Sequence, residues 1–334
     1  VKLRQITNLQ LSGNSILNWF FQGKTQSIKE EPFFIKTGLY SHIDSVFDSI
    51  EESNENEIQI QLKKFREKDY QNTSLFRVLD VQKTLDPFKE NFTHFLIHGS
   101  TADLQISEGW SDFDAMAVIR DRPRNRKEVC DLLDVCIDLD TEMRKIDKLQ
   151  HHGIHYIHEK ELKSYPQLYL PHQLLSDAKC LLDSNSLIIK PVSSRDQEIE
   201  RFRSIVATFK DARFTGFLDH HPLNGVYLEE NFQNIHTMYQ LKYFLSVIML
   251  LPTLWLNLRD VYCKKKDSFD MIKNYFDEDS LEILIKASNI RSRWKNLEVK
   301  ENKIPDWVTE TLEEKYLERG HVFAKMLSDN LWKH

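Results

Sequence analysis

Glycine is scarce, with nine in 334 residues. Beside long Leu/Lys/Glu-rich segments, that scarcity points to a helix-rich protein. Cysteine is rarer still. Cys130, Cys136, Cys180 and Cys263 are scattered, and the six-residue step between the first two is not a zinc spacing. Reduced, semi-buried thiols of a cytoplasmic protein are the expectation. An excess of positive charge is also missing. Lys and Arg number 45 against 51 Asp and Glu, a formal net charge of −6. That balance speaks against nucleic-acid binding through bulk charge and leaves only a local basic cleft open. Charged and polar residues interrupt every early apolar run, so no signal-peptide pattern is present. The stretch Met238 to Leu258 is apolar-rich but holds Gln240, Lys242, Pro252 and Asn257. A spanning helix needs about twenty nearly unbroken apolar residues. The stretch therefore reads as a buried core helix broken at Pro252, and the protein as soluble, with no membrane partner.

What is present centres on one region. The apolar run His94-Phe95-Leu96-Ile97-His98 ends in Gly99-Ser100. After eleven intervening residues Asp112-Phe113-Asp114 opens a second apolar run, Ala115 to Ile119. On a strand, residues i and i+2 share a face, so Asp112 and Asp114 can converge while Phe113 enters a core. Two adjacent carboxylates are costly unless a cation lies between them or one takes a proton. All-oxygen ligands suit magnesium or manganese. The Gly99-Ser100 turn offers backbone N–H groups and a hydroxyl to a phosphate.

Gly99-Ser100, the gap, and Asp112-Phe113-Asp114-Ala115 together resemble the signature of the DNA polymerase beta-like nucleotidyltransferases. That family includes antibiotic nucleotidyltransferases, poly(A) and CCA-adding polymerases, and cyclic-dinucleotide synthases. The resemblance implies a fold of class α+β: a small mixed-sheet core flanked by helices, followed by an all-helical domain. It implies Mg²⁺ (or Mn²⁺) on Asp112 and Asp114, and a nucleoside triphosphate such as ATP as co-substrate. Gly99 and Ser100 would cradle its phosphates. Members of the family usually carry a third carboxylate on the third strand. Here the matching tetrad is Ile154-His155-Tyr156-Ile157, so that position is histidine. Imidazole can act as a base or ligate a metal near neutral pH, though it is a poorer magnesium ligand. Three readings stand: His155 serves as the catalytic base, Glu159 supplies the missing charge from the same face, or the site binds nucleotide without turnover.

Around this centre the pattern gives a helix over Ser74 to Asn91, strands over Thr93 to Ile97 and Phe113 to Ile119, an amphipathic helix over Lys127 to Gln150, and a third strand near Gly153 to His158. Leu174 to Leu182 and Leu187 to Ile189 resemble the end of the family's core domain, where a helix leads to a short strand. Residues 1–70 are expected to be an N-terminal extension, 71–192 the nucleotidyltransferase core, and 193–334 a helical substrate-binding domain. Within 58–68, strand and helix are equally open. In the helical part, Asp267 or Ser268 is expected to N-cap a helix. Lys264, Lys265 and Ser268 either face a triphosphate, with lysine as a point charge for phosphate, or form a solvated turn. Arg122, Arg124, Arg126 and Lys127 read as solvated loop charge, His151, His152 and His158 as a polar strand rim, and Glu229 and Glu230 as possible bases on a cleft wall. The expected activity is transfer of a nucleoside monophosphate to a hydroxyl of a small-molecule acceptor, releasing pyrophosphate. The alternatives are a protein or RNA acceptor, or an inactive nucleotide-binding module.

Overall fold

In the computed structural model, residues 48–104, 110–146, 153–167, 170–192, 195–215, 235–294, 304–313 and 315–331 are described. The described parts of residues 1–105 and 112–193 form one compact unit, and those of 106–111 and 194–334 form another. The apolar patterning of the N-terminal extension allows helices at Ser15 to Phe21 and Thr37 to Ile50; these segments fall wholly or mostly outside the described residues, as do His151, His152, Glu229 and Glu230.

The first unit is built on a mixed sheet, and the fold is α+β. In chain order its elements are β1 (Ile58–Gln61), β2 (Lys63–Lys64), α1 (Val78–Leu85), β3 (Phe92–His98), α2 (Gly99–Asp103), β4 (Asp114–Ile119), α3 (Arg126–Ile146), β5 (His155–His158), β6 (Tyr165–Pro166), β7 (Lys179–Cys180), β8 (Ser186–Ile189) and β9 (Pro191–Val192). The five-stranded sheet has the order β2-β7-β3-β4-β5. β3 runs antiparallel to β4 and β7, whereas β4 and β5 are parallel. Parallel neighbours need a long crossover, and α3 supplies it.

The two faces of the sheet differ. Leu96, Met116, Val118, Ile157 and Cys180 share one face and pack with Ile60, Tyr165, Leu175, Leu187 and Ile189 in one buried cluster. By alternation, Phe95, Ile97, Ala115, Ala117 and Tyr156 face the other way. There the Tyr156 hydroxyl donates to the Cys136 carbonyl of α3 at 3.2 Å. The apolar stripe of α3, with Leu132, Leu133, Cys136, Leu139 and Met143 all buried, explains why this segment is a helix laid on a sheet.

Residues 58–64, expected in an extension, belong to this unit's sheets. β1 pairs antiparallel with β8, Ile58 opposite Ile189 and Ile60 opposite Leu187. β2 joins the main sheet beside β7. The alternation of Ile58 and Ile60 with glutamines is the strand pattern, and the partner that fixes it lies more than 120 residues away. The expected helix over Leu174 to Leu182 is instead a 3₁₀ turn, His172–Leu175, followed by β7. Its cysteine side chain is buried beside Leu96, a long-range pairing that local periodicity does not encode. The helix expected over Ser74 to Asn91 is shorter, because Pro87 lies in a 3₁₀ segment, Asp86–Asn91, after α1.

Every described element from residue 195 onward is a helix: α4 (Arg195–Thr215), α5 (Ile235–Asn257), α6 (Lys265–Ile272), α7 (Glu282–Arg293), α8 (Asp306–Leu312) and α9 (Tyr316–Asp329). Pro252 does not break α5. Leu251, Trp255 and Leu256 around it are fully buried, at ~1.5–3 kcal/mol for each such side chain, against a proline cost of ~3 kcal/mol. The last described helical stretch is divided into α8 and α9, where Glu313 and Lys315 take positive φ values of 61° and 65°. α9 lies close to α4 and α5 at Gly320, where a Cβ would sit 2.7 Å from Phe244 Cε2 and 3.1 Å from Phe209 Cε1. Among the described residues, no helix is long and apolar enough to cross a membrane.

Candidate active site

The Gly-Ser and Asp-Phe-Asp segments meet because β3 and β4 are adjacent antiparallel strands. His98 lies opposite Asp114, and Ile97 opposite Ala115. Immediately after His98 the chain turns through Gly99 at φ +62°, a conformation that residues with a Cβ rarely adopt. A Cβ on Gly99 would also come under 3.0 Å from Asp114 Oδ2 and to 3.3 Å from its Cγ. The Asp114 carboxylate therefore lies against the Gly99 backbone, in space that a side chain would fill. α2 begins there and ends at Leu104, which is also left-handed at φ 58°. That conformation costs a residue with a side chain roughly 1–2 kcal/mol.

Asp112 and Asp114 are both half-buried, and Phe113 between them is fully buried. This matches the alternation that sends Phe113 inward. Ser100 is half-buried and Gly99 exposed, so the turn faces solvent while the strand behind it does not.

His155 opens β5 opposite Met116. It shares the face of Met116, and thus of Asp114, two residues earlier on β4. One such step along the strand and one strand spacing across put the His155 and Asp114 Cα atoms about 8 Å apart. Asp140 of α3 fixes the entry to this strand. Its carboxylate is 2% exposed, and Oδ1 accepts the Ile154 N–H at 3.3 Å. Asp140 is the residue that the sequence reading missed. A carboxylate set in the apolar stripe of Cys136 and Met143 was the available signal.

Glu159 does not supply the missing carboxylate. It follows β5, past the residue opposite Ile119, and its Oε2 accepts the Asp121 N–H at 2.7 Å. Asp114 is at the other end of β4, about 20 Å away along the strand. His158, expected as rim, is buried on the helix side and caps the next 3₁₀ turn by accepting from the Lys160 N–H. The arginine cluster is used locally. Arg122 donates to Glu128 at 2.7 Å and to Asn91 at 2.9 Å, while Arg124 donates to the carbonyls of Arg120 and Arg122.

Among the described residues, no group of three or more His, Cys, Asp or Glu side chains is gathered to hold a metal. The residues that could do so are the pair Asp112 and Asp114. Magnesium fits such a pair: it keeps several waters and commonly takes one or two carboxylates together with substrate phosphates.

Lys264, Lys265 and Ser268 belong to the second unit. Lys264, not Asp267 or Ser268, is the N-cap residue of α6. Ser268 is fully buried; its hydroxyl donates to the Lys265 carbonyl at 2.7 Å and accepts from Thr253 at 3.1 Å. Lys265 Nζ donates to the Ser246 carbonyl at 3.2 Å. A hydroxyl engaged inside the helix packing is a structural group, which the sequence pattern of a Lys-rich turn does not reveal. Trp110, from the segment between the two motif halves, also belongs to this unit and packs edge-on against Trp294 at 5.1 Å.

Comparison with protein-family models, curated proteins and solved structures returns no match.

Proposed function

We propose that this protein is a metal-dependent nucleotidyltransferase that moves a nucleoside monophosphate from a nucleoside triphosphate to a hydroxyl of a small-molecule acceptor. The observation that carries the reading is the seating of the Asp114 carboxylate against a left-handed Gly99. It joins the two halves of the sequence signature across one antiparallel strand pair. A divalent cation on Asp112 and Asp114, magnesium or manganese, would supply positive charge to the phosphates. Gly99 and Ser100 offer backbone N–H groups and a hydroxyl to the β- and γ-phosphate oxygens. His155, on the same sheet face, takes the acceptor's hydroxyl proton. The acceptor oxygen forms a bond to the α-phosphorus as the bond to the β-phosphate oxygen breaks, and pyrophosphate leaves. Catalysis is then mostly positioning and electrostatics. Four free cysteines fit a cytoplasmic setting.

A second reading, nucleotide binding without turnover, draws on His155 standing where the family carries a carboxylate. Pyrophosphate release from each of the four nucleoside triphosphates, with Mg²⁺ or Mn²⁺ and a library of small-molecule hydroxyls, separates the two. Release by wild type that Asp114→Asn abolishes and His155→Ala lowers is expected. Turnover retained in Asp114→Asn would sink the proposal, and nucleotide binding without release under any metal would favour the second reading.

A further inference from the structure

A buried hydrogen-bonded chain runs from the far side of the sheet to the motif. Lys179 of β7 is 8% exposed, and its Nζ donates to the Tyr70 hydroxyl at 3.1 Å. Tyr70 is fully buried and stacked on Phe65 at 5.0 Å. Its hydroxyl donates to the Thr101 carbonyl of α2 at 3.2 Å. Thr101, also fully buried, turns its own hydroxyl to the Asp112 carbonyl at a long 3.4 Å.

The arrangement answers a mechanical need. α2 is five residues long and enters and leaves through left-handed residues, Gly99 and Leu104. A backbone so constrained persists only where its surroundings over-determine it. Lysine has three donors and no acceptor, so the ammonium leaves the tyrosine proton to point only at Thr101. Lysine buried beside a tyrosine is uncommon, because burial disfavours its charge. Here desolvation lowers the Lys179 pKa while Asp69 and Asp103 act in the opposite direction.

We propose that Tyr70, oriented by Lys179, is a positioning residue that fixes α2 and, through Thr101, the backbone of Asp112. Its catalytic consequence rests on the nucleotidyltransferase reading. Tyr70 touches no reacting atom; it acts by setting the Gly99-Ser100 turn and the first aspartate in register.

Tyr70→Phe removes only the hydroxyl and keeps the stack on Phe65. Thr101→Val removes only the hydroxyl facing Asp112. Two measurements on the full chain test the inference. The first is steady-state pyrophosphate release, where kcat is expected to fall about tenfold or more in each variant with little change in KM for the nucleoside triphosphate. The second needs no turnover: amide hydrogen exchange, where residues 99–104 and 112–114 are expected to lose protection while α3 keeps its own. If wild type releases pyrophosphate in an Asp114-dependent way and both variants match it, the positioning role is overturned and the enzyme reading stands. If wild type releases none, the enzyme reading fails, and exchange alone decides: protection lost at the turn supports the positioning role, and unchanged or uniformly lost protection overturns it.

Discussion

Gly99→Ala separates two demands that the turn makes on residue 99. The first is conformational. At φ +62° a Cβ costs roughly 1–2 kcal/mol, which corresponds to about 2–8 °C in Tm for a unit of this size. The second is steric. The new methyl would come under 3.0 Å from Asp114 Oδ2, so the carboxylate must move by up to about 1 Å, and a misplacement of that size can cost about 10²-fold in rate. The two effects can be read apart. In an Asp114→Ala background the nearest remaining atom of residue 114 is its Cβ at 3.6 Å, an ordinary contact, and only the conformational cost survives. Thermal unfolding of wild type, both single variants and the double variant closes a cycle whose coupling energy is the clash. Pyrophosphate release by Gly99→Ala reports the displaced carboxylate. A Gly99→Ala protein with wild-type Tm and no coupling to residue 114 would refute the close approach on which the site is built.

Two further predictions concern stability. Glu161 is buried, and burial pushes its pKa up to about 8. A carboxyl raised in the folded state stabilises fully below its unfolded value of 4.5 and loses that contribution as pH rises through about 8. His158, pushed down to about 4 by burial, acts only below its unfolded value of 6.5. Between pH 6.5 and 8 the wild-type Tm should therefore fall more steeply than that of Glu161→Gln, whose amide oxygen can still accept the His158 N–H; parallel curves would contradict the buried, neutral acid. Gly320→Ala places a methyl against the rings of Phe244 and Phe209, and overpacking of that kind costs about 1–3 kcal/mol. Gly320→Ala is expected to melt lower than wild type, although alanine is the better helix former; a higher Tm would show that the rings yield.

Much of the core was legible because its signals are local. The β3 and β4 runs, the amphipathic stripe of α3 and the alternating start of β5 each follow from residues within one element. Glycine before serine at the end of one strand, and paired aspartates at the start of the next, could be matched without knowing the fold. Signals that depend on distant partners were not readable. β1 is a strand because β8 lies beside it, and β7 because β3 does. Pro252 stays helical because burial on both sides outweighs a missing donor. Ser268 resembled a cap and proved to be part of the packing.

For the site, the sequence alone determined which residue types are available: a glycine, a serine, two aspartates one strand step apart, and a histidine where a third carboxylate was expected. Only the tertiary structure decided which of them meet. It set Asp114 against Gly99, put His155 on the face of Asp114, and removed Glu159 to the opposite end of the sheet. It also linked Lys179 through Tyr70 to the carbonyl of Thr101, and Asp140 to the N–H of Ile154, by hydrogen bonds between residues far apart in the chain. The physical reason is that strand register and hydrogen-bond partnership are properties of pairs, and a pair separated by dozens of residues leaves no mark on the local pattern of either member.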